Sequence, residues 1–229
     1  MWNGKKKAVT FSYDDGVMQD IRFIELLEHY GLRGTFNINL GRQRETDTFI
    51  KSGVLVRHIA AEDLPAVYAG HEVAGHTYSH VHLESMTDEE AREEIGKCHD
   101  GLQQLFGYEI MGMAYPYGTY SHRTVEILAQ ENVKYARTCV QTETFSVPDD
   151  LLCLATTCRH ANRKLLELAR AFVSLKTDTQ QLFYIWGHSY EFDECQNWEV
   201  MEEFCKIISG HADIFYGTNS EVLLDKKQS

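Results

Sequence analysis

Short apolar, β-prone runs alternate along the chain with stretches whose hydrophobic positions recur at helical spacing. Lys7–Tyr13 is the first such run and ends in Asp14-Asp15-Gly16; behind it Ile21, Ile24, Leu27 and Tyr30 share one stripe of a helix that Gly31 stops. Gly34–Leu40 predicts a strand, Ala61–Tyr68 a short helix and Glu72–Gly75 a strand. Thr87 opens a long helix to about Phe106, because Thr87-Asp88-Glu89-Glu90 is a capping box in which hydroxyl and carboxylate satisfy the first turn. Further strands are predicted at Ile110–Tyr115, Lys134–Thr138, Leu152–Thr156, Leu182–Trp186 and Asp213–Tyr216. Helices near Arg123–Glu131, Arg163–Ser174 and Trp198–Ile208 fall between them.

Strands alternating with helices imply a parallel sheet, and 229 residues without an internal boundary or repeat predict one domain, 1–229. The expected architecture is a distorted (β/α) barrel of seven or eight strands, with an open doubly wound sheet as the alternative. Neither GxGxxG nor GxxxxGK[ST] occurs, which removes the main support for nucleotide binding. In both architectures functional groups belong at the carboxyl ends of the strands.

Charge narrows the partners. Lys plus Arg number 22 against 34 Asp plus Glu, a net charge of −12, the wrong sign for clamping nucleic acid or an anionic membrane surface. The six cysteines, Cys98, Cys139, Cys153, Cys158, Cys195 and Cys205, form no CxxC pair and are expected to be mostly buried thiols of a reducing compartment. Met-Trp-Asn-Gly-Lys-Lys-Lys leads straight into a strand pattern without a long apolar stretch, so the expectation is a soluble cytoplasmic chain.

The strand ends carry the candidate chemistry. Asp14-Asp15 places two repelling carboxylates side by side, which calls for a cation or donor network, although Asp-Asp-Gly is also ordinary turn chemistry. His76 and His80, four residues apart, have the spacing that puts two imidazoles on one side of a helical turn. Among eleven histidines an HxxxH is cheap. With an Asp from the first strand end, however, the set becomes His, His, carboxylate with an open position, the donor set of a catalytic metal. His82 is expected to point elsewhere. Tyr115-Pro116-Tyr117-Gly118 and Trp186-Gly187-His188-Ser189-Tyr190 end two later strands, where His188 is either a packed structural histidine or an acid/base group.

Asp14-Asp15-Gly16, His76-Thr77-Tyr78-Ser79-His80, Pro116-Tyr117-Gly118 and the late His188, in this order from Lys7 to Tyr216, resemble the polysaccharide deacetylases, the NodB-homology or carbohydrate esterase 4 family. The resemblance implies a NodB-like fold in which Asp15, His76 and His80 bind one divalent metal, usually zinc and sometimes cobalt or iron. Asp14 would be the catalytic base, His188 the general acid and the backbone N–H of Tyr117 a donor to the oxyanion. The implied substrate is an acetylated glycan, oligosaccharide or glycoconjugate; Pro116, Tyr117, Trp186 and Tyr190 are the candidate substrate-binding residues, the three aromatics either stacking on a sugar ring or packing at the barrel mouth.

Two departures stand out. The family arginine expected two residues before Pro116 is Ala114 here, and Arg137, in Tyr135-Ala136-Arg137-Thr138, is the foremost substitute, with Arg159 behind it. The family aspartate that orients the acid histidine has no match between Asn132 and Cys158, and His160 is a further candidate for the pocket lining. The departures keep two alternatives open: a non-catalytic carbohydrate-binding pseudoenzyme on the same fold, and a hydrolase of a smaller amide or an O-acetyl ester. A phosphoesterase would need basic residues near the motifs, and few are there.

Overall fold

A computed structural model describes residues 2–224. The chain runs through β1 (Lys7–Asp14), α1 (Gln19–His29), β2 (Thr35–Ile38), the hairpin β3 (Thr48–Lys51) and β4 (Val54–Arg57), α2 (Leu64–Val67), β5 (Glu72–Gly75), α3 (Asp88–Phe106) and β6 (Gly112–Ala114). It continues through α4 (His122–Gln130), β7 (Tyr135–Gln141), β8 (Leu154–Thr156), β9 (Cys158–Arg159), α5 (Leu165–Ser174), β10 (Gln181–Gly187), α6 (Glu191–Glu194), α7 (Trp198–Ile208), β11 (Ile214–Tyr216) and α8 (Asn219–Leu223). Among these residues no helix is long and apolar enough to cross a membrane.

The expected distorted barrel forms. Parallel pairing runs β8-β7-β6-β5-β2-β1-β10-β9. β8 and β9 are two halves of one kinked segment, the first bonded to β7 and the second to β10. Thr157 between them donates its N–H to the Tyr184 carbonyl, and the ring closes there. β11 is an eighth strand, paired with the first half of β1, while β2 pairs with its last residues.

Alternation along each strand divides the residues between two environments. On β1, Val9, Phe11 and Tyr13 face the helices and join a core with Phe23, Leu27, Phe172, Phe183 and Phe204. Each such burial is worth about 1.5–3 kcal/mol. The intervening residues Ala8, Thr10, Ser12 and Asp14 face the barrel interior, which is fully buried and largely polar. Polar interior groups must be paired. Thr10 donates to Asn219, Thr35 and Tyr135 donate to Glu72, and Asn37 donates to Ser12 and Asp14. α8 closes the lower end, its Val222 carbonyl accepting the Trp2 indole N–H.

Most predicted elements recur with shifted ends; Glu72–Gly75 and Trp198–Ile208 recur unchanged. Ala61–Tyr68 splits into a 3-10 turn and a single α turn. The predicted strand at Leu152–Thr156 starts later, and the chain kinks beyond it to reach β10. The hairpin β3–β4, α6 and α8 were not among the predicted elements. All six cysteines are free thiols, but only Cys98, Cys158 and Cys205 are buried, fewer than expected.

Candidate active site

Every candidate acid, base and metal ligand sits where an inward-facing stripe reaches the upper rim of the barrel. Asp14 ends β1 as the last of its inward residues, and Asp15 follows with a φ of 84°. Thr77 and His80 (φ 58°) and Tyr117 (φ 60°) are left-handed as well. Four non-glycine residues in this sparsely populated region around one cleft cost of order 1–3 kcal/mol each, a strain that such sites hold for geometry. The pair His76 and His80 therefore converges through two left-handed residues in a loop and not, as the spacing suggested, along one helical turn.

The three expected ligands meet. One donor atom each from Asp15, His76 and His80 lies within 4.8 Å of the other two. Asp15 Oδ1 stands 3.8 Å from His76 Nε2 and 3.7 Å from His80 Nε2. His76 Nδ1 is 2.8 Å from the Ala114 carbonyl, which accepts its hydrogen and leaves Nε2 with a free lone pair, the usual support of a ligating imidazole. Asn39 donates to Asp15 Oδ1 at 3.0 Å. Burial, with His76 alongside, pushes the His80 imidazole down to about 4, so it is neutral at physiological pH. Two imidazoles and a carboxylate are a donor set that fits zinc, cobalt or iron.

Beside this triad, Arg137 is completely buried and donates from Nη2 to both oxygens of Asp14, at 2.6 Å for Oδ1. Burial favours the neutral acid at Asp14, but Arg137, assisted by His76 and His188, outweighs it and holds the carboxyl below the usual carboxylate range. The guanidinium stacks on the Trp186 ring, 4.5 Å from its centroid, with Arg159 also over that ring. His188 turns Nε2 toward Asp14 Oδ2 (3.8 Å) and Asp15 Oδ2 (3.9 Å). Burial holds its imidazole below the ordinary histidine value.

A cleft of about 310 Å³ opens over these groups, lined by Asp14, His80, Tyr117, Cys139, Trp186 and Tyr190. A neighbouring one of about 300 Å³ extends from Asp15 and His80 under the β3–β4 hairpin to Arg42 and Phe49. A larger cleft of about 500 Å³ lies at the start of β1, among Lys5, Lys6 and Lys7, at the other end of the strand from Asp14. Tyr117 is exposed, packed flat on His82 with centroids 3.9 Å apart. His82 turns its Nδ1 to Thr119 at 3.0 Å and does not join the converging donor atoms, as expected. Tyr190 is mostly buried against Phe49, Trp186 is buried with two guanidiniums over its ring, and Pro116 is buried, so of the four residues expected near a sugar only Tyr117 presents a broad open face.

Sequence reasoning missed Asn37 and Asn39, which hold the two aspartates, and Glu191, whose carboxylate lies beside His188, Arg159 and His160. The pattern Asn37-Ile38-Asn39, polar residues alternating at a strand end, was the available signal for the first two. His160 is buried under Tyr13 and Phe192 and lines neither cleft.

Residues 2–136 match the family model described as polysaccharide deacetylase. The chain belongs to that family. It is 28% identical over 141 residues to a peptidoglycan-N-acetylglucosamine deacetylase of Bacillus cereus, covering 60% of this chain and 46% of that one, so the chain spans less than half of the relative's length. Its fold is similar to a family 4 acetyl xylan esterase from Clostridium thermocellum in complex with a cobalt ion (TM-score 0.61, 16% identity, 95% and 91% of the two chains). It is similar as well to a family pseudoenzyme from Bacillus anthracis (TM-score 0.56, 13% identity, 95% and 66%). The NodB-like fold of polysaccharide deacetylases is thus the fold of this chain.

Proposed function

We propose that this polysaccharide deacetylase hydrolyses an acetyl group from an N-acetylated carbohydrate, with O-acetyl esters as a second substrate class, and that it does so with a bound divalent metal. The observation that carries the proposal is the convergence of Asp15, His76 and His80 within 4.8 Å beside an Asp14 carboxylate held ionised. The three ligands would hold the metal, zinc foremost with cobalt or iron as alternatives, which when bound polarises the acetyl carbonyl and makes water a stronger acid.

The chain's own groups do the rest. Asp14, ionised by Arg137, accepts the proton of the attacking water, and its second contact with Asn37 fixes the direction of the acceptor oxygen. The backbone N–H of Tyr117, held in a left-handed turn, is the donor to the developing oxyanion. His188 returns a proton to the leaving nitrogen. Tyr117 offers its exposed ring to the sugar face. The absence of the family arginine at Ala114 suggested a binding-only protein, but Arg137 meets Asp14 from another strand, which favours catalysis.

The test pairs elemental analysis of the purified chain with acetate release from N-acetylglucosamine oligomers, before and after chelation, with Asp15→Ala alongside. One metal per chain, lost in the variant, with chelator-sensitive acetate is the expected result. Metal without acetate would redirect the search to other amides and esters; no metal after reconstitution would leave a binding protein.

A further inference from the structure

The His188 ring has two edges with different surroundings. Nε2 faces the cleft and the two aspartates, whereas Nδ1 is buried and lies 3.3 Å from Glu191 Oε1 without a linear hydrogen bond. Among the described residues Glu191 is the carboxylate on that side, and its own Oε2 is likewise buried without a hydrogen bond. A buried Nδ1 left unsatisfied is costly, and Glu191 Oε1, 3.3 Å away, is an acceptor that a small rotation of the imidazole would bring into line.

Glu191 is itself held in place. It opens α6 at the end of the turn that follows β10, where its N–H donates to the His188 carbonyl at 3.1 Å. Ser189 within that turn donates to Asp20 at 2.6 Å, tying it to the start of α1. Arg159, from β9, makes an ion pair with the Glu191 carboxylate, and the Nε2 of His160 lies 3.1 Å from Oε2. Gly187, just before His188, has no side chain because a Cβ there would collide with the His160 ring.

Resting on the deacetylase reading, we propose that Glu191 is the positioning residue for His188: its carboxylate accepts Nδ1–H, points Nε2 at the leaving nitrogen and stabilises the imidazolium, with Arg159 fixing the carboxylate. When the C–N bond of the tetrahedral adduct breaks, its electron pair goes to nitrogen, which takes the Nε2 proton; acetate and free amine leave, and His188 remains as neutral imidazole with Nδ1–H on Glu191. A buried carboxylate behind a catalytic imidazole sets its tautomer and orientation in just this way.

Leaving-group dependence separates this role from a structural one. An amine departs only with a proton, whereas 4-nitrophenolate departs without one. Glu191→Gln is therefore assayed on N-acetylglucosamine oligomers and on 4-nitrophenyl acetate, with metal content measured in parallel. The expected result is a kcat loss of about 30–100-fold on the amide, at least tenfold larger than the loss on the aryl ester, with KM and metal content unchanged and part of the loss recovered in Glu191→Asp. An unchanged amide rate, an equal loss on both substrates, or a loss confined to KM overturns the assignment. A wild-type chain that releases acetate from neither substrate overturns the deacetylase reading, and this inference with it.

Discussion

Arg137 is the register neighbour of Ala114 on the adjacent strand, and from there its guanidinium reaches Asp14 across the barrel interior. A methyl at position 114 leaves room in the interior for a side chain of this size one strand along. Asp14 and its cation thus stay paired although the cation stands on a different strand from the one the family pattern indicates.

Breaking this pair should affect both rate and stability. Arg137→Ala leaves a buried carboxylate without its counter-charge, which costs roughly 3–5 kcal/mol. The melting temperature should drop by about 6 °C or more, and kcat by about 100-fold. Arg137→Lys should recover little, since a single ammonium lacks the fork that meets both Asp14 oxygens. A variant with wild-type rate and pH profile would remove Arg137 from the mechanism. Ala114→Arg added to Arg137→Ala should restore part of the activity.

Metal and fold should be linked. Of the three carboxylates at the cleft, Asp14 pairs with Arg137 and Glu191 with Arg159, whereas Asp15 faces His76 and His80 and has no guanidinium partner, so a divalent cation would supply its counter-charge. At a thousandfold excess over Kd, bound metal adds about 4 kcal/mol. Chelation should lower the melting temperature by about 8–16 °C in the wild type and leave Asp15→Ala unmoved. Differential scanning fluorimetry with and without added zinc reads this directly.

Stability should carry a pH signature from Asp20, which lies buried beneath the His188 turn and accepts from Ser189, Tyr68 and the Val17 N–H. Burial outweighs these donors, and Asp15 adds to it, pushing the carboxyl up to about 7. A carboxyl raised in the folded state binds its proton there more tightly than in the unfolded chain. Its contribution is therefore largest below about pH 4 and declines as pH rises toward 7, by roughly 4 kcal/mol in all. In Asp20→Asn this slope should vanish from guanidinium unfolding measured between pH 4.5 and 7.5; an unaltered slope would assign it elsewhere.

Tyr117 combines an exposed ring with a constrained backbone. Tyr117→Ala should raise KM for oligosaccharides about three- to tenfold, as a lost stacking contact of 0.5–1.5 kcal/mol would. Tyr117→Gly, which relieves the left-handed strain but frees the turn, should also lower kcat. Equal kinetics for the two variants would confine the residue to stacking.

The α/β units were legible because buried strands and amphipathic helices carry opposite periodicities, and the ligands because Asp15, His76 and His80 close strands whose ends the apolar runs mark. The β3–β4 hairpin was not, since Thr48–Arg57 is mostly solvated and interrupts the parallel scheme; Ser52-Gly53, both at positive φ, was its turn signal. Arg137 was identifiable once Ala114 had exposed the missing cation. Glu191 was hidden among 34 acidic residues on a helix of four, because its partner His188 is fixed by the turn between them and not by any recognisable spacing.

The proposed metal ligands all precede residue 81, whereas Arg137, Arg159, His188 and Glu191 all follow residue 136, and only the ring of strands brings the two sets together. The proposed division of labour is therefore written along the chain as well as in space: one consecutive stretch would gather the electrophile and the base, the next would keep that base ionised and supply the leaving-group proton. Drift in the second stretch can retune which leaving group departs while the first keeps its grip on the cation, a route by which amide and ester specificities could diverge on one unaltered scaffold.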